Sequence, residues 1–549
     1  MAMQFAYRSV KEVGLVTGPP DLHELQGFTK PQGLIRSMTY SPNGSYFAWT
    51  SPTAVHIYNV ENKAIVQEIA RPNVVEIAFS PLSTYLLTWE RMVKQEDGSP
   101  HKNMVVWNTA TGEQVASFSR KTQSNWALQW SADESFCGLL VTNEVRFFDP
   151  ANFAKGIHCK LQLDGMESFS LSPGRSPSVA AFVSARKSMP GMVRLYSLGN
   201  FRQPLAQKTF FKADKVKMIW NTLGTNLLVW TSTEVDITGK SYYGETNLYY
   251  LTVAGNFDCQ VILDKEGPIH DVAWNPDASA KEFAVVYGYM PAKAALFDRR
   301  ANLVHDFGTA PRNFVQFSPQ GRFVAVAGFG NLTGQMDIWD LKHRKKSCSF
   351  DASNTTFCQW SPSGRYLLTA TCSPRLRVDN GMKVWHHTGV LVYHQPMHEL
   401  YQVCWQPQPA SRFPDRAALS PPPRGIAVTS DTPKKSTASV GTYRPPHARG
   451  TSTPPVLKRT EQTPRPTVPG ATFASNGGGN QNKGADFTKR IRTISRKLKQ
   501  ISELKERQQN GDTLDPKQLE KIANEAKLVT EIEDLKVQRS RCSNGTAPA

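Results

Sequence analysis

A large apolar residue, then Ser or Asn (once Gln), usually then Pro, and then a hydrophobic stretch: this phrase recurs nine times in the chain. It reads Tyr40-Ser41-Pro42, Phe79-Ser80-Pro81, Trp130-Ser131-Ala132, Leu171-Ser172-Pro173 and Trp220-Asn221-Thr222. It continues as Trp274-Asn275-Pro276, Phe317-Ser318-Pro319, Trp360-Ser361-Pro362 and Trp405-Gln406-Pro407. Successive copies stand about 39 to 54 residues apart, the length of a four-stranded propeller blade. A second column follows each turn: Tyr58-Asn59, Trp107-Asn108, Phe148-Asp149, Tyr196-Ser197, Tyr250-Leu251, Phe297-Asp298, Trp339-Asp340 and Trp385-His386. Trp339-Asp340 is the dipeptide that names the WD40 class, and short β-forming runs such as Tyr85-Leu86-Leu87 lie between the columns.

The pattern predicts an all-β, WD40-like β-propeller over residues 1–408. Eight turn-plus-strand repeats are complete, whereas the ninth turn, at Trp405, has no strand series after it. Residues 5–10 and 14–17 carry strand-like pieces with no turn before them. Joining the two ends in one composite blade hides the edges of an open sheet, so nine blades are expected, with eight as the fallback. A propeller core is structural, so function is expected in loops and appendages.

The eight cysteines form no CxxC pair, and scattered thiols of this kind predict small buried residues in a reducing compartment. Residues 1–10 show no secretory signal, and no stretch reaches the roughly 20 apolar residues of a membrane span. A cytoplasmic protein with no membrane contact is the expectation.

The net charge of +18 is unevenly placed. From Gln406 onward 25 Lys and Arg face 13 Asp and Glu, which leaves +6 for residues 1–405. A cationic tail on a near-neutral body points to an anionic partner, nucleic acid first, because neutralised phosphates release counterions.

Residues 409–486 are rich in Pro, Ser, Thr and Gly, and too poor in apolar groups to offset chain entropy, so a disordered linker is expected. It contains Thr442-Tyr443-Arg444-Pro445-Pro446, in which Tyr443, Arg444, Pro445 and Pro446 form a candidate docking motif beside the alternative of arbitrary extended chain. Residues 487–540 read as a helical hairpin broken at Asn510-Gly511-Asp512. Ile491, Ile494, Leu498 and Ile501 make one face of its first helix. Lys489, Arg490, Arg492, Arg496, Lys497 and Lys499 cover the rest, either as an RNA-binding face or as a solvated one.

Enzyme chemistry is not visible. The chain has no GxxxxGK[ST] phosphate cradle, so GTP hydrolysis is not expected. No HExxH or CxxC cluster suggests a metal site, and no cofactor is implied. Gly328-Phe329-Gly330 and Gly334 read as tight turns between strands. Several loops instead carry basic and aromatic residues, and aromatics that stack with cations that pair phosphates are what single-stranded RNA binding requires. They supply Lys212 and Lys215, Tyr242 and Tyr243, Arg312, and Arg375 with Arg377 as candidate contacts. Phe210 and Phe211 are expected to pack between blades. Arg375 and Arg377 alternate, and in an extended crossing both project from one face.

These stretches resemble the eukaryotic translation initiation factor 2A family. The words that carry the resemblance are Phe-Phe-Lys-Ala-Asp-Lys-Val (210–216), Ser-Tyr-Tyr-Gly-Glu (241–245) and Val-Tyr-Gly-Tyr-Met-Pro-Ala-Lys-Ala (286–294). They continue with Phe-Gly-Thr-Ala-Pro-Arg-Asn (307–313), Ala-Gly-Phe-Gly-Asn-Leu (327–332), Ala-Thr-Cys-Ser-Pro-Arg-Leu-Arg-Val (370–378), Thr-Tyr-Arg-Pro-Pro (442–446) and the terminal basic hairpin. The middle of the linker does not match. The resemblance implies a nine-bladed, non-catalytic factor that binds the small (40S) ribosomal subunit. It further implies codon-dependent, GTP-independent delivery of initiator methionyl-tRNA to mRNA, with other initiation factors as further partners. The b subunit of initiation factor 3 has a similar propeller but an N-terminal RNA-recognition domain, and here the first turn arrives at Ser41. The rival expectations are a general protein–protein scaffold and a propeller hydrolase.

Overall fold

The computed structural model describes residues 3–96, 98–185, 189–210, 213–233, 244–415, 419, 421–426, 501, 505, 522–523, 525 and 529–530. Two compact units emerge, residues 1–434 and 435–549. The first is a nine-bladed β-propeller. Eight blades are four-stranded antiparallel meanders, covering residues 38–69, 74–118, 129–162, 166–210, 215–260, 269–310, 314–351 and 357–396, numbered here as blades 1 to 8. In each, the strands are lettered a to d in chain order. The composite blade 9 has three strands, Gln402–Trp405, Gln4–Arg8 and Val13–Thr17, the first two pairing the chain's end with its beginning. Isolated bridges Val16–Glu24 and Glu12–Gln32 stand where its fourth strand would be.

The recurring Ser or Asn has a mechanical role. Its side-chain oxygen accepts the N–H that opens strand b, from Tyr46, Tyr85, Phe136, Ser178, Asn226, Phe323 or Tyr366, at 2.7–3.1 Å. Each such oxygen is buried, so its loss would leave an amide unpaired. At the seam Gln406 takes this place: its N–H donates to the Gln4 carbonyl (2.8 Å) and its side-chain amide to Gly44 (2.7 Å). Gly44 has φ +75°, and a Cβ there would lie 2.1 Å from the Pro407 carbonyl oxygen. Ring closure therefore requires glycine at that position.

The large residue before the Ser or Asn ties blades together. The indole N–H of Trp220, Trp274, Trp360 and Trp405 donates back to Ser170, Ile219, Gln316 and Gln359 of the preceding blade, at 2.9–3.3 Å. The second column closes strand c in each blade, ending strands such as Val55–Asn59, Met104–Asn108 and Gln335–Asp340.

Nine apolar clusters fill the nine gaps between consecutive blades. One joins blade 8 to blade 9 through Leu368, Met382, Phe5, Tyr7 and Trp405, and another joins blade 9 to blade 1 through Leu15, Met38 and Phe47. The ring is thus continuous in its packing as well as its hydrogen bonds. Burial of each large side chain stabilises it by roughly 1.5–3 kcal/mol.

Past Trp405 the chain stays on the propeller. A 3-10 turn at Ala410–Arg412 leads to Asp415, whose carboxylate pairs with Arg322 at 3.0 Å. The Ile426 N–H then donates to Leu391 of blade 8 (3.0 Å). The composition of this stretch gave no hint of that docking, which depends on a buried arginine also bound to Asp340 at 3.2 Å.

Within the second unit, Ile501 and Lys505 are helical, as are Ile522, Ala523, Glu525, Val529 and Thr530. Ile501 is buried, and Lys505 forms an ion pair with Glu525.

Candidate nucleic-acid interface

Because each blade is a meander, its a–b and c–d turns emerge at one end of the ring, and its b–c and d–a loops at the other. Lys215, Arg312, Arg375 and Arg377 all belong to the b–c and d–a end. Lys212, Tyr242, Tyr243, Tyr443, Arg444, Pro445, Pro446, Lys489, Arg490, Arg492, Arg496, Lys497 and Lys499 lie outside the described residues.

Three of the sequence words meet at one corner, formed by loops 311–313, 328–334 and 372–380. Asn313 brackets the glycine loop: its side-chain amide donates to the Phe329 carbonyl (2.9 Å), and its oxygen accepts the Phe329 N–H (2.8 Å). Phe329 packs on Phe314, with ring centroids 5.0 Å apart. A Cβ on Gly328 would lie 2.1 Å from the Pro311 carbonyl oxygen, and one on Gly330 2.9 Å from Nη2 of Arg375. Glycine thus lets the loops of blades 7 and 8 come together under the Arg375 guanidinium.

Loop 372–380 is itself held from within. The Ser373 hydroxyl donates to Asn380 (2.8 Å), and the Asn380 amide donates to the Leu376 carbonyl (2.7 Å). Leu376 is half-buried while Arg375 and Arg377 stand exposed on either side of it. The expected extended crossing is not what positions them. The backbone turns at Ser373–Arg375, so the two arginines project from a folded loop rather than from one strand face.

Arg312 requires a correction. It is only 3% exposed, with one guanidinium nitrogen on the Gln335 carbonyl (2.7 Å) and another on the Asp337 carboxylate (2.5 Å). It supports strand c of blade 7 from beneath and offers nothing to a phosphate. Lys215 is exposed at the start of strand Lys215–Trp220. The base of loop 233–245 is pinned by Thr233, whose N–H donates to the Glu245 carbonyl (3.0 Å) and whose hydroxyl accepts the Glu245 N–H (2.8 Å). Phe210 is buried against Tyr249, whereas Phe211 lies outside the described residues.

The same end carries a cleft of about 550 Å³ between blades 1 and 2, lined in part by Arg36, Asn73, Val75, Glu90, Arg91 and His101. Glu90 is taken up by Arg71 (2.6 Å) and His101 (2.9 Å). Arg36 and Arg91 are exposed and form no ion pair among the described residues. Sequence reasoning misses both. The one available signal is the length of loop 91–103, the longest b–c connection together with 233–245.

Among the described residues most titratable groups with large shifts belong to the core. Burial pushes the Cys404 thiol up to about 12 and holds His386 and His387 down to about 4. Those two imidazoles have ring centroids 4.2 Å apart, which successive strand residues on opposite faces would not allow, because His387 has already left the strand. Among the described residues no three His, Cys, Asp or Glu side chains converge as metal ligands, and no helix is long and apolar enough to cross a membrane.

The family model described as eukaryotic translation initiation factor eIF2A matches residues 208–403, which include that corner. Eukaryotic translation initiation factor 2A of Schizosaccharomyces pombe is 44% identical, over 97% of this chain and 98% of that protein. The chain belongs to the eukaryotic translation initiation factor 2A family. The Drosophila melanogaster member of the eukaryotic translation initiation factor 2A family is 38% identical over 82% of this chain and 71% of its own length. A solved structure described as a crystal structure of the eukaryotic initiation factor aligns with a TM-score of 0.69 and 47% identity, covering 74% of this chain and all of the other. The family model thus spans the segments that form the loop corner, and the solved structure shares the overall fold.

Proposed function

We propose that this chain is a non-catalytic cytoplasmic initiation factor whose b–c and d–a end docks on RNA of the small (40S) ribosomal subunit. In that position it promotes codon-dependent, GTP-independent binding of initiator methionyl-tRNA, with mRNA as a further partner. The observation that supports this reading most is the corner at loops 311–313, 328–334 and 372–380. There, segments carrying the family's sequence words converge, and two arginines stand exposed with no ion pair among the described residues. A rigid ring presenting cations on short, internally bonded loops loses little entropy on binding phosphate.

In the same reading, residues 409–486 act mainly as a tether, and the basic hairpin 487–540, with Lys489, Arg490, Arg492, Arg496, Lys497 and Lys499, reaches tRNA or rRNA. Tyr443, Arg444, Pro445 and Pro446 dock a further initiation factor. Linker length then sets the effective concentration of the second contact.

Co-sedimentation of the full chain with purified small subunits over a salt series tests the platform. Charge reversal of Arg375 and Arg377 to Glu is expected to lower the slope of log affinity against log salt by about two, one per lost phosphate contact. An unchanged slope with a lowered melting temperature would make the pair packing residues and reject the docking face.

A further inference from the structure

The opposite end of the ring, where the a–b and c–d turns lie, is not uniform in charge. The c–d turns of blades 1, 2, 3, 4, 5 and 8 carry at most one Lys or Arg each. Blade 6 places Arg299 and Arg300 in its turn, and blade 7 places Lys342, His343 and Arg344 there, running on into Lys345 and Lys346. These neighbouring turns are exposed. Beside them, between blades 5 and 6, a cleft of about 760 Å³ is lined by Tyr250, Asn256, Phe257, Lys281, Arg299 and Arg300 among others. Its size is within the roughly 300–1,000 Å³ of small-ligand sites.

The chemistry of the cleft is graded. Phe257 is half-buried and meets Tyr250 edge-on at 5.7 Å, so an aromatic wall is already held in place. The Asn256 side-chain oxygen accepts from the Thr252 hydroxyl (2.9 Å), which fixes the direction of its amide. Cations form the rim. Arg344, exposed in the c–d turn of neighbouring blade 7, adds to the positive charge of that end. The carboxylates nearby are few and mostly engaged. Asp298 accepts the Arg300 and Asn302 N–H groups of its own turn, Asp277 accepts from Ser279, and Asp340 is bound by Arg322 and His343. Glu282 remains among the cations.

Two of the rim cations stand on left-handed backbone. Arg344 has φ +48° and Lys281 φ +50°, the left-handed region that favours glycine. Five residues after their own column aromatic, blades 2 and 5 place Gly112 and Gly255 in that conformation where blade 7 places Arg344. Blade 1 places Lys63 at the same turn position with φ +53°, so what distinguishes the rim is its density of cations beside an aromatic wall.

We propose that this patch binds single-stranded RNA: a base lies against Phe257, and the flanking phosphates run over Lys281, Arg299, Arg300 and Arg344. An aromatic face with a cationic track is the minimal single-strand site, and stacking serves any base. An acidic polypeptide would use the cations but not the aromatic wall, which is why RNA is the better occupant. This contact lies at the other end of the ring from Arg375 and Arg377, and it stands or falls separately from the docking of that end.

The test uses the full chain and 4-thiouridine-containing oligouridylate. Photo-crosslinking is expected to label the peptide containing Phe257, and an Arg299→Ala/Arg300→Ala variant is expected to lose that label. Phe257→Ala is expected to weaken the binding that remains when Arg375 and Arg377 are both reversed, by about tenfold. Arg344→Gly is expected to reduce labelling while leaving the melting temperature unchanged or raised, which separates lost contact from lost fold. No label on residues 246–300 would overturn the proposal. So would variants that lose binding of a fluorescent polyglutamate peptide while retaining the RNA label. Neither outcome would alter ribosome sedimentation of the Arg375 and Arg377 variants.

Discussion

At the end of the ring where strand a turns into strand b, turns of five to eight residues repeat one hydrogen-bond scheme in seven of the eight complete blades, and in blade 6 Asn275 accepts the Asp277 N–H instead. At the opposite end the b–c loops run from two residues (142–143) to thirteen (91–103) and share no scheme. The uniform end answers to closure: each buried Ser, Asn or Gln side chain satisfies backbone groups that have no other partner, so substitution there is penalised everywhere alike. The irregular end answers only to its own local bonds, and it is the end that gathers the exposed Arg375, Arg377, Arg36 and Arg91. Closure is thus carried by the a–b turns of one end, where only the c–d turns of blades 6 and 7 gather exposed cations, while the loops of the other end are free to vary.

The largest expected effect comes from breaking the seam that makes the uniform end continuous. Trp405 is buried, edge-on to Phe5 at 5.1 Å, with its indole bound to Gln359. Trp405→Ala is expected to cost about 3–5 kcal/mol by chemical denaturation. Hydrogen exchange should rise first in Gln4–Arg8, the strand that pairs with Gln402–Trp405. Protection lost evenly around the ring would mean that closure is not a distinct weak point.

The second effect divides the arginines of the irregular end. Arg312→Met leaves Asp337 inside the structure without its closest cation, at a cost of about 3 kcal/mol. Charge reversal at Arg375 should change stability by less than about 0.5 kcal/mol. Adding Asp337→Leu to Arg312→Met should recover most of the loss, since two apolar groups leave no charge behind. Equal costs for Arg312 and Arg375 would erase the distinction between support and display.

Much of the uniform end is legible in the sequence because its cause is local. A Ser that accepts an N–H five residues later must recur with the blade, and so must the Trp whose indole reaches the preceding blade. The composite blade is legible for a related reason: a ninth turn without strands, and N-terminal strands without a turn, need each other. The irregular end is less legible because its causes are distant. Arg312 and Asp337 are 25 residues apart and on different blade elements, so Pro311-Arg312-Asn313 reads the same whether the guanidinium is buried or free. The cleft holding Arg36 and Arg91 draws on three separate segments. Arg375 and Arg377 are exposed, but not through alternation on one strand face, since alternation matters only in an extended chain and loop 372–380 is folded. The docking of Asp415 on Arg322 depends on a partner 93 residues earlier.

The measurement that bears most directly on this division is a cryo-EM map of the full chain bound to the small ribosomal subunit. The account predicts ribosomal RNA against loops 311–313, 328–334 and 372–380, with Arg375 and Arg377 at phosphates and the Ser-containing turns facing away. A map with those turns flush on ribosomal RNA, and with Arg375 and Arg377 in open solvent, would contradict it.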